Sequence, residues 1–422
     1  MITLIKKYMQ KLSNSIRFKL SVMMFLQYAY YGVWIIPFAS FLQSNKYTNL
    51  DISNIIGNTA IAFILAPLFV CMLTDKFFKS EKILSVLNIT GAILLLLAAK
   101  NVTNSAGLAQ PLIMWWIILI HCIFYTPTWA LTNNIAMRQM SNPERDFSSI
   151  RIMGTIGWII ISAIALFSSQ ITQILNISVV YEKSNIPLLI GSVLGIAAGF
   201  WALCLPATPP EKNKSKTNFS DIFGISALKL LKNKNFLIIS VICLIAGITD
   251  IYYWAWCNLF LTELNIKSGP AVMALGQMTE LVTLMIIAQL LTRLGTKKTL
   301  FIGIIISLLR FTLLSLSYAH MLPLSYLGVS LHGTFFVLVV ITSQIYINKK
   351  SPKNLMASAQ GLLSMLTFGI GWFLGAHISG YIVEKYQLSQ SSHNWSIIWL
   401  YPLPLITLAF FILFLFKEKS DK

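Results

Sequence analysis

Two polar side chains stand out in a long apolar stretch of the C-terminal half. Glu280 lies thirteen residues after Lys267 and thirteen before Arg293, near the middle of this stretch. A charged side chain at the centre of a membrane span costs about 2.5–3.5 kcal/mol, so its presence requires a reason. Gln277 is three residues earlier and shares its helical face. A carboxylate and an amide side by side can bind a hydroxylated solute, and the alternative is a structural ion pair of Glu280 with Arg310.

Aromatic residues accompany a second acidic residue. Asp250 lies midway along another apolar run and is followed by Tyr253 and Trp254 within the aromatic group 252–256. Aromatic rings at this depth suit stacking against a planar ligand, as bases stack on aromatic side chains elsewhere. Tyrosine and tryptophan are also ordinary residues of membrane cores and interfaces, so a purely structural role is the alternative.

A complementary set of residues occurs in the N-terminal half. Arg151, Thr155 and Trp158 follow i, i+4, i+7 spacing, so they share one face of a helix. Gln27 and Tyr31 belong to a polar–aromatic cluster in the first apolar run. These residue types predict hydrogen bonds and stacking to a solute. The alternative for Arg151 is a loop arginine that anchors lipid headgroups.

Patterns for catalysis and metal binding are absent from the sequence. No two of the five histidines have metal-ligand spacing, and there is no Gly-rich phosphate loop, HExxH motif or supported Ser/His/Asp arrangement. For each histidine we expect an interhelical hydrogen bond rather than a proton relay, with His332 as the best exception. The sequence therefore predicts no enzyme, no metal and no cofactor.

The composition is that of a membrane protein. Of 422 residues, 56% are hydrophobic and 11% are charged, whereas about a quarter of a soluble domain is charged. A span needs about 20 apolar residues, which leaves room for about twelve spans. The formal net charge of +18 comes from basic residues in short loops. It is explained by membrane topology, and nucleic-acid binding is not expected.

Twelve apolar runs separated by polar segments form two sets of six. They fall at residues 18–43, 51–74, 82–100, 111–138, 146–171, 185–205, 235–262, 268–292, 298–318, 322–348, 355–383 and 395–416. Lysine and arginine are concentrated in alternate loops, which the positive-inside rule assigns to the cytoplasm together with both termini. We expect six-helix bundles at 1–205 and 235–422, joined by a basic cytoplasmic linker at 206–234.

Short motifs spread along the chain resemble the nucleoside:proton symporter family of the major facilitator superfamily. Each motif is weak alone, but their shared order and spacing over nearly the whole chain make the resemblance specific. The matching segments are FLQYAYYGVW (25–34), TDKFF (74–78), YTPT (125–128), IRIMGTIGW (150–158), ALKLLKNKNF (227–236), GQMTEL (276–281), ASAQG (357–361) and SGYIVEKY (379–386).

The resemblance implies an all-α fold with twelve spans in a 6+6 arrangement, as a monomer in the bacterial inner membrane. It also implies nucleoside transport by alternating access. In that family, residues equivalent to five positions of this chain are implicated in nucleoside binding: Arg151, Thr155, Trp158, Gln277 and Glu280. The remaining candidate contacts are Tyr253, Trp254, Gln27, Tyr31 and Phe336. A major facilitator carrier of another small polar solute, such as a sugar, a nucleotide-related compound or a drug, is the alternative.

One position departs from the family pattern. The family has an acidic residue, linked to proton coupling, four positions after the glycine that matches Gly333, and this chain has Val337 there. Proton coupling must then run through Asp250 or Glu280, or be lost, which would leave a facilitator. Glu280 has a possible cationic partner in Arg310, whereas Asp250 has no evident partner in its own span. Asp250 is therefore the better candidate for a proton carrier.

Overall fold

The computed structural model describes residues 14–74, 79–140, 143–174, 180–209, 225–318, 321–352 and 355–417. These residues are helical except for the turns and loops between helices and one small β-hairpin. The long apolar runs form helices because a helix satisfies its backbone N–H and C=O groups internally, as a hydrocarbon environment requires.

The helices are numbered α1 to α15 in chain order. Those of the N-terminal part are α1 (Asn14–Ile35), α2 (Phe38–Ser44), α3 (Asn49–Thr74), α4 (Ser80–Lys100), α5 (Pro111–Gln139), α6 (Pro143–Ile174) and α7 (Ile186–Leu203). Those of the C-terminal part are α8 (Lys234–Glu263), α9 (Gly269–Ser317), α10 (Leu322–Phe336), α11 (Thr342–Lys350), α12 (Met356–Ser364), α13 (Trp372–Lys385), α14 (Trp395–Ile398) and α15 (Pro402–Phe414).

Shorter elements connect the helices. Two 3-10 helices cover Tyr181–Lys183 and Ile225–Lys232. Two π-helical segments occur within longer helical stretches: Val337–Ile341 joins α10 to α11, and Met365–Gly371 joins α12 to α13. The antiparallel hairpin consists of β1 (Gln387–Ser389) and β2 (Ser392–His393).

Ten helical stretches among the described residues are long and apolar enough to cross a membrane. One of them, α9, is 49 residues long and is interrupted at Gly295, whose φ of 75° and ψ of 175° suit a residue without a Cβ. This break falls between the predicted spans 268–292 and 298–318. In addition, α3 has a shorter apolar part, Asn49–Leu65. The prediction of an α-helical protein with many membrane spans is confirmed, and the count of twelve stays a prediction.

The chain divides into two compact units. Unit 1 comprises Met1–Phe41 and Leu65–Lys216, and unit 2 comprises Leu42–Ile64 and Thr217–Lys422. The first part of α3 thus belongs to unit 2. Residues 210–224 of the predicted linker lie outside the described residues. The division into bundles at 1–205 and 235–422 stays a prediction.

In unit 1, α1 packs against α6 and α7, and α4 packs against α5 and α7. Gly157 allows α6 to approach α1 closely, because a Cβ at this position would lie 2.5 Å from the carbonyl oxygen of Phe25. The contact holds the face of α6 that carries Arg151, Thr155 and Trp158 at a set distance from α1.

In unit 2, α9 packs along α10, and α8 packs against the π-helical segment Met365–Gly371 and α13. The crossing of α9 and α10 is very close at Gly333. A Cβ there would overlap the carbonyl oxygen of Gly276 and lie 2.7 Å from Glu280 Cα. The turn of α9 that carries Gln277 and Glu280 is therefore held directly against α10.

Candidate functional site

A stack of one cation and two aromatic rings forms the centre of the polar region in unit 1. The guanidinium carbon of Arg151 lies 4.1 Å from the centroid of the Tyr28 ring. The Tyr28 ring in turn stacks on Trp129, with centroids 5.8 Å apart and planes 20° apart. A cation above an aromatic face contributes about 0.5–2 kcal/mol, depending on desolvation. Arg151 is half-buried, so the stack positions its guanidinium while part of the residue stays accessible.

Thr155 and Trp158 follow Arg151 along the same face of α6 and are both buried. The Trp158 ring lies against Gly32, where a Cβ would be 2.9 Å from the ring. Its centroid is 6.0 Å from that of Tyr31. The structure thus brings together the three residues of the i, i+4, i+7 pattern, as predicted from their spacing.

Gln27 and Tyr31 lie deeper within unit 1 than Trp158 does. Gln27 is 1% exposed, and its amide donates to Thr128 Oγ1 and accepts from Asn88 Nδ2 at 3.2 Å. Tyr31 stacks on Tyr125 with centroids 4.9 Å apart. Both residues therefore support the wall behind Arg151 and Trp158. Direct contact of Gln27 or Tyr31 with a solute stays a prediction. It would require the solute to replace the hydrogen bonds of Gln27 or the stacking of Tyr31 on Tyr125.

The polar region of unit 2 is built at the crossing of α9 and α10. Gln277 is 8% exposed, and Glu280, one helical turn later, is partly exposed. On α10, His332 packs against the same turn of α9, because a Cβ added at Gly276 would lie 3.3 Å from His332 Cβ. Gln277 and Glu280, which were predicted to act together, thus lie on a turn that packs against His332. The sequence alone assigned no definite role to this histidine.

Aromatic rings surround His332. Its ring stacks on Tyr253 with centroids 4.3 Å apart, and Trp254 meets it edge-on at 5.0 Å. Tyr253 is fully buried, whereas Trp254 and Phe336 are half-buried. Trp254 is therefore the accessible member of the predicted aromatic group 252–256, and Tyr253 lies behind the imidazole. Phe336, a separate candidate, is also partly accessible.

A buried charged network lies on the other side of His332. The Arg310 guanidinium donates through Nη1 to His332 Nδ1 at 2.7 Å. The same Nδ1 is 3.9 Å from Asp250 Oδ1, and Trp372 Nε1 donates to Asp250 Oδ2 at 3.2 Å. The sequence suggested Arg310 as a partner for Glu280 and found none for Asp250 within its own span. In the structure Arg310 binds His332 and interacts electrostatically with Asp250. The partners of Asp250 thus lie on helices other than its own α8.

Val337 lies in the first π-helical segment, in wholly apolar surroundings. It is fully buried and packs in a cluster with Ile287 and Leu338. A valine in such a cluster neither binds a proton nor hydrogen-bonds a solute. Proton binding in unit 2 therefore requires residues other than Val337.

The model of the family described as "Nucleoside H+ symporter" matches residues 14–421 of the chain. The chain belongs to the nucleoside H+ symporter family. Among curated relatives, the Escherichia coli protein YegT is 34% identical, with 96% of this chain and 94% of YegT covered. The Escherichia coli nucleoside permease NupG is 27% identical, with 96% and 97% covered. The crystal structure of the nucleoside transporter NupG superposes with a TM-score of 0.82 at 26% identity, covering 96% of this chain and all of that one.

Membership of the nucleoside H+ symporter family confirms the resemblance found in the motifs. It also confirms that the chain is a transporter rather than an enzyme, because the family and its relatives are transporters. Together with the membrane-spanning helices, it makes the chain a multi-pass membrane protein.

Proposed function

We propose that this protein moves nucleosides across the bacterial inner membrane by alternating access, and that both polar regions contribute to binding. The observation that carries the proposal is the half-site of unit 2, where the turn of α9 that bears Gln277 and Glu280 packs against Gly333 and His332 of α10. The half-buried ring of Trp254 meets His332 edge-on. An amide and a carboxylate suit ribose hydroxyls and base edges. Aromatic faces suit the planar base, because stacking contributes about 1–3 kcal/mol per base.

The half-site of unit 1 has the same combination of properties. Arg151 offers directional N–H donors, and its charge is spread over the ring stack of Tyr28 and Trp129. Trp158 adds an aromatic surface and Thr155 a hydroxyl on the same face of α6. A neutral, planar and hydroxylated solute fits both half-sites better than an anion does, since a phosphorylated solute would need more cations than Arg151 supplies.

The proposed architecture has twelve spans in two bundles, 1–205 and 235–422, with both termini and the linker 206–234 in the cytoplasm. The break at Gly295 supports two spans within α9, and the apolar part of α3 supports a further one. The basic loops support this orientation through the positive-inside rule. We place the protein in the inner membrane as a monomer.

Uptake of labelled uridine into proteoliposomes tests the proposal. Glu280→Gln and Arg151→Ala are each expected to lower uptake at least about tenfold, because each leaves polar groups of the bound solute unpaired and desolvated. Glu182→Gln, in the 3-10 helix Tyr181–Lys183, and Arg293→Ala, next to the break in α9, make the same chemical changes outside both half-sites and are expected to keep wild-type uptake. The amount of folded protein in the membrane is measured for every variant.

Competition by unlabelled solutes identifies the substrate class. Nucleosides are expected to block uridine uptake, and sugars or nucleotides at the same concentration are not. Absence of uridine uptake by the wild type would refute the proposal. Stronger competition by a sugar or a drug-like solute would favour the alternative carrier.

A further inference from the structure

Three ionisable residues of unit 2 are enclosed behind the solute-facing surface. Asp250, Arg310 and His332 come from α8, α9 and α10, and none is more than 2% exposed. Ionisable groups in membrane spans are costly and usually mark proton or solute pathways. Asp250 and Arg310 take no part in the proposed solute binding, whereas His332 lies behind the aromatic ring of Trp254 that contributes to it.

The direction of one hydrogen bond defines the protonation of the imidazole. Arg310 has donors and no acceptor, so its 2.7 Å contact with His332 Nδ1 requires a lone pair on that nitrogen. His332 is therefore neutral in this state, with its proton on Nε2. The same Nδ1 is the imidazole nitrogen that lies 3.9 Å from Asp250 Oδ1.

The group has unused hydrogen-bonding capacity. Among the described residues, no hydrogen-bond partner exists for Asp250 Oδ1 or for Arg310 Nε and Nη2. An unsatisfied buried polar atom costs about 1–3 kcal/mol. A proton placed between Asp250 Oδ1 and His332 Nδ1 would satisfy the carboxylate oxygen that has no partner here.

The surrounding charges also favour one additional proton. Glu280 of α9 is the other charged group acting on Asp250 besides Arg310, and Trp372 of the helix α13 contributes only its N–H. Tyr253 and Cys257, on the same helix as Asp250, are neutral groups near Arg310. The Glu280 carboxylate repels the Asp250 carboxylate, and a proton on Asp250 removes this repulsion.

We propose, building on the proposed nucleoside transport, that Asp250 and His332 bind the coupling proton and that Arg310 competes with this proton for His332 Nδ1. On binding, an O–H bond forms at Asp250 Oδ1 and donates to Nδ1, and the N–H···N bond from Arg310 breaks. On release, the proton returns to water on the other side of the membrane, and the Arg310 bond reforms.

The proton site and the solute half-site share His332. Its side chain packs against Gly276, the residue before Gln277, and its ring meets Trp254 edge-on. Exchange of the Arg310 bond for a bond to Asp250 changes the orientation of a ring that supports the solute-binding surface. Protonation and solute binding are thereby linked over a few ångströms.

Two transport measurements on proteoliposomes test this inference. An inward gradient of one pH unit is expected to drive uridine accumulation of up to about tenfold in the wild type, for one proton per solute. Asp250→Asn is expected to abolish this accumulation, because an amide cannot take up the proton, and to keep uridine counterflow, because exchange of solute for solute requires no net proton release. His332→Gln is expected to lower the ratio of accumulation to counterflow, because an amide oxygen is a weaker acceptor than imidazole Nδ1 for the O–H of Asp250. The ratio is used because His332 also supports the solute-binding surface.

Matched substitutions control for the chemical change. Asp51→Asn and His377→Gln lie away from the network and are expected to keep both activities. Asp250→Glu, which keeps a carboxyl group, is expected to retain accumulation. If Asp250→Asn fails to fold, His332→Gln decides the outcome, because the glutamine carbonyl can still accept the N–H of Arg310.

The outcomes separate this inference from the proposed function. A wild type without uridine counterflow would refute nucleoside transport itself. Counterflow without gradient-driven accumulation would overturn the proton site and leave a facilitator. Accumulation that survives Asp250→Asn, with an unchanged ratio of accumulation to counterflow in His332→Gln, would also overturn it. A Glu280→Gln variant that alone loses accumulation while its counterflow persists would assign the proton to Glu280.

Discussion

Gly333→Ala tests whether the close crossing of α9 and α10 positions the half-site of unit 2. The added Cβ would overlap the carbonyl oxygen of Gly276 and the backbone nitrogen of Glu280, and would lie 2.7 Å from Glu280 Cα. Backbone atoms cannot rotate away as a flexible side chain can. Since ordinary carbon contacts begin near 3.4 Å, Glu280 must move by about 0.7 Å or more relative to α10.

The expected magnitudes follow from this displacement. Overpacking of a close contact costs about 1–3 kcal/mol, so the melting temperature of Gly333→Ala should fall. A displacement approaching 1 Å can reduce the action of a positioned group by up to about a hundredfold. We expect the KM for uridine to rise at least about tenfold, because Gln277 and Glu280 move together away from His332.

Two further glycines provide matched controls for this substitution. A Cβ at Gly57 would lie 3.4 Å from its nearest atom, in His377, which is an ordinary contact distance. Gly57→Ala should therefore neither raise KM nor lower the melting temperature. A Cβ at Gly303 would lie 2.7 Å from Val339, away from Gln277 and Glu280. Gly303→Ala should lower the melting temperature and keep the wild-type KM. The reasoning is refuted if Gly333→Ala has a wild-type KM, or if Gly303→Ala raises KM equally.

Two more predictions concern unit 1. Tyr28→Ala removes the ring beneath Arg151 and should raise the KM for uridine roughly threefold to thirtyfold, whereas Tyr28→Phe should stay near wild type, and equal effects would contradict the stacking role. Burial raises the pKa of the Glu182 carboxyl, and a hydrogen bond from its own backbone N–H and the charge of Lys183 oppose this shift. The folded protein therefore binds more protons than the unfolded chain above the ordinary carboxyl pKa, and this stabilising contribution is lost as pH rises through the raised pKa. Melting curves between about pH 4 and 8 should show that Glu182→Gln reduces this decline, and a decline identical to wild type would contradict it.

Much of this protein could be read from the amino-acid sequence alone. The length and spacing of the apolar runs determined which segments become helices, because only a helix satisfies its own backbone in hydrocarbon. The same spacing determined the depth of Asp250 and Glu280, both of which lie well inside their helices. The i, i+4, i+7 pattern placed Arg151, Thr155 and Trp158 on one face, and the order of short motifs identified the family.

The partners of these residues were decided only by the tertiary structure. Arg310 interacts with His332 and Asp250, although the sequence suggested it as a partner for Glu280. Gln27 is enclosed by side chains from two other helices. The physical reason is that these helices are apolar on nearly every side, so the hydrophobic pattern shows how deep a residue lies but not which neighbour it faces. That choice depends on which helices approach closely, and close approach depends on glycines such as Gly333 whose contacts come from distant parts of the chain.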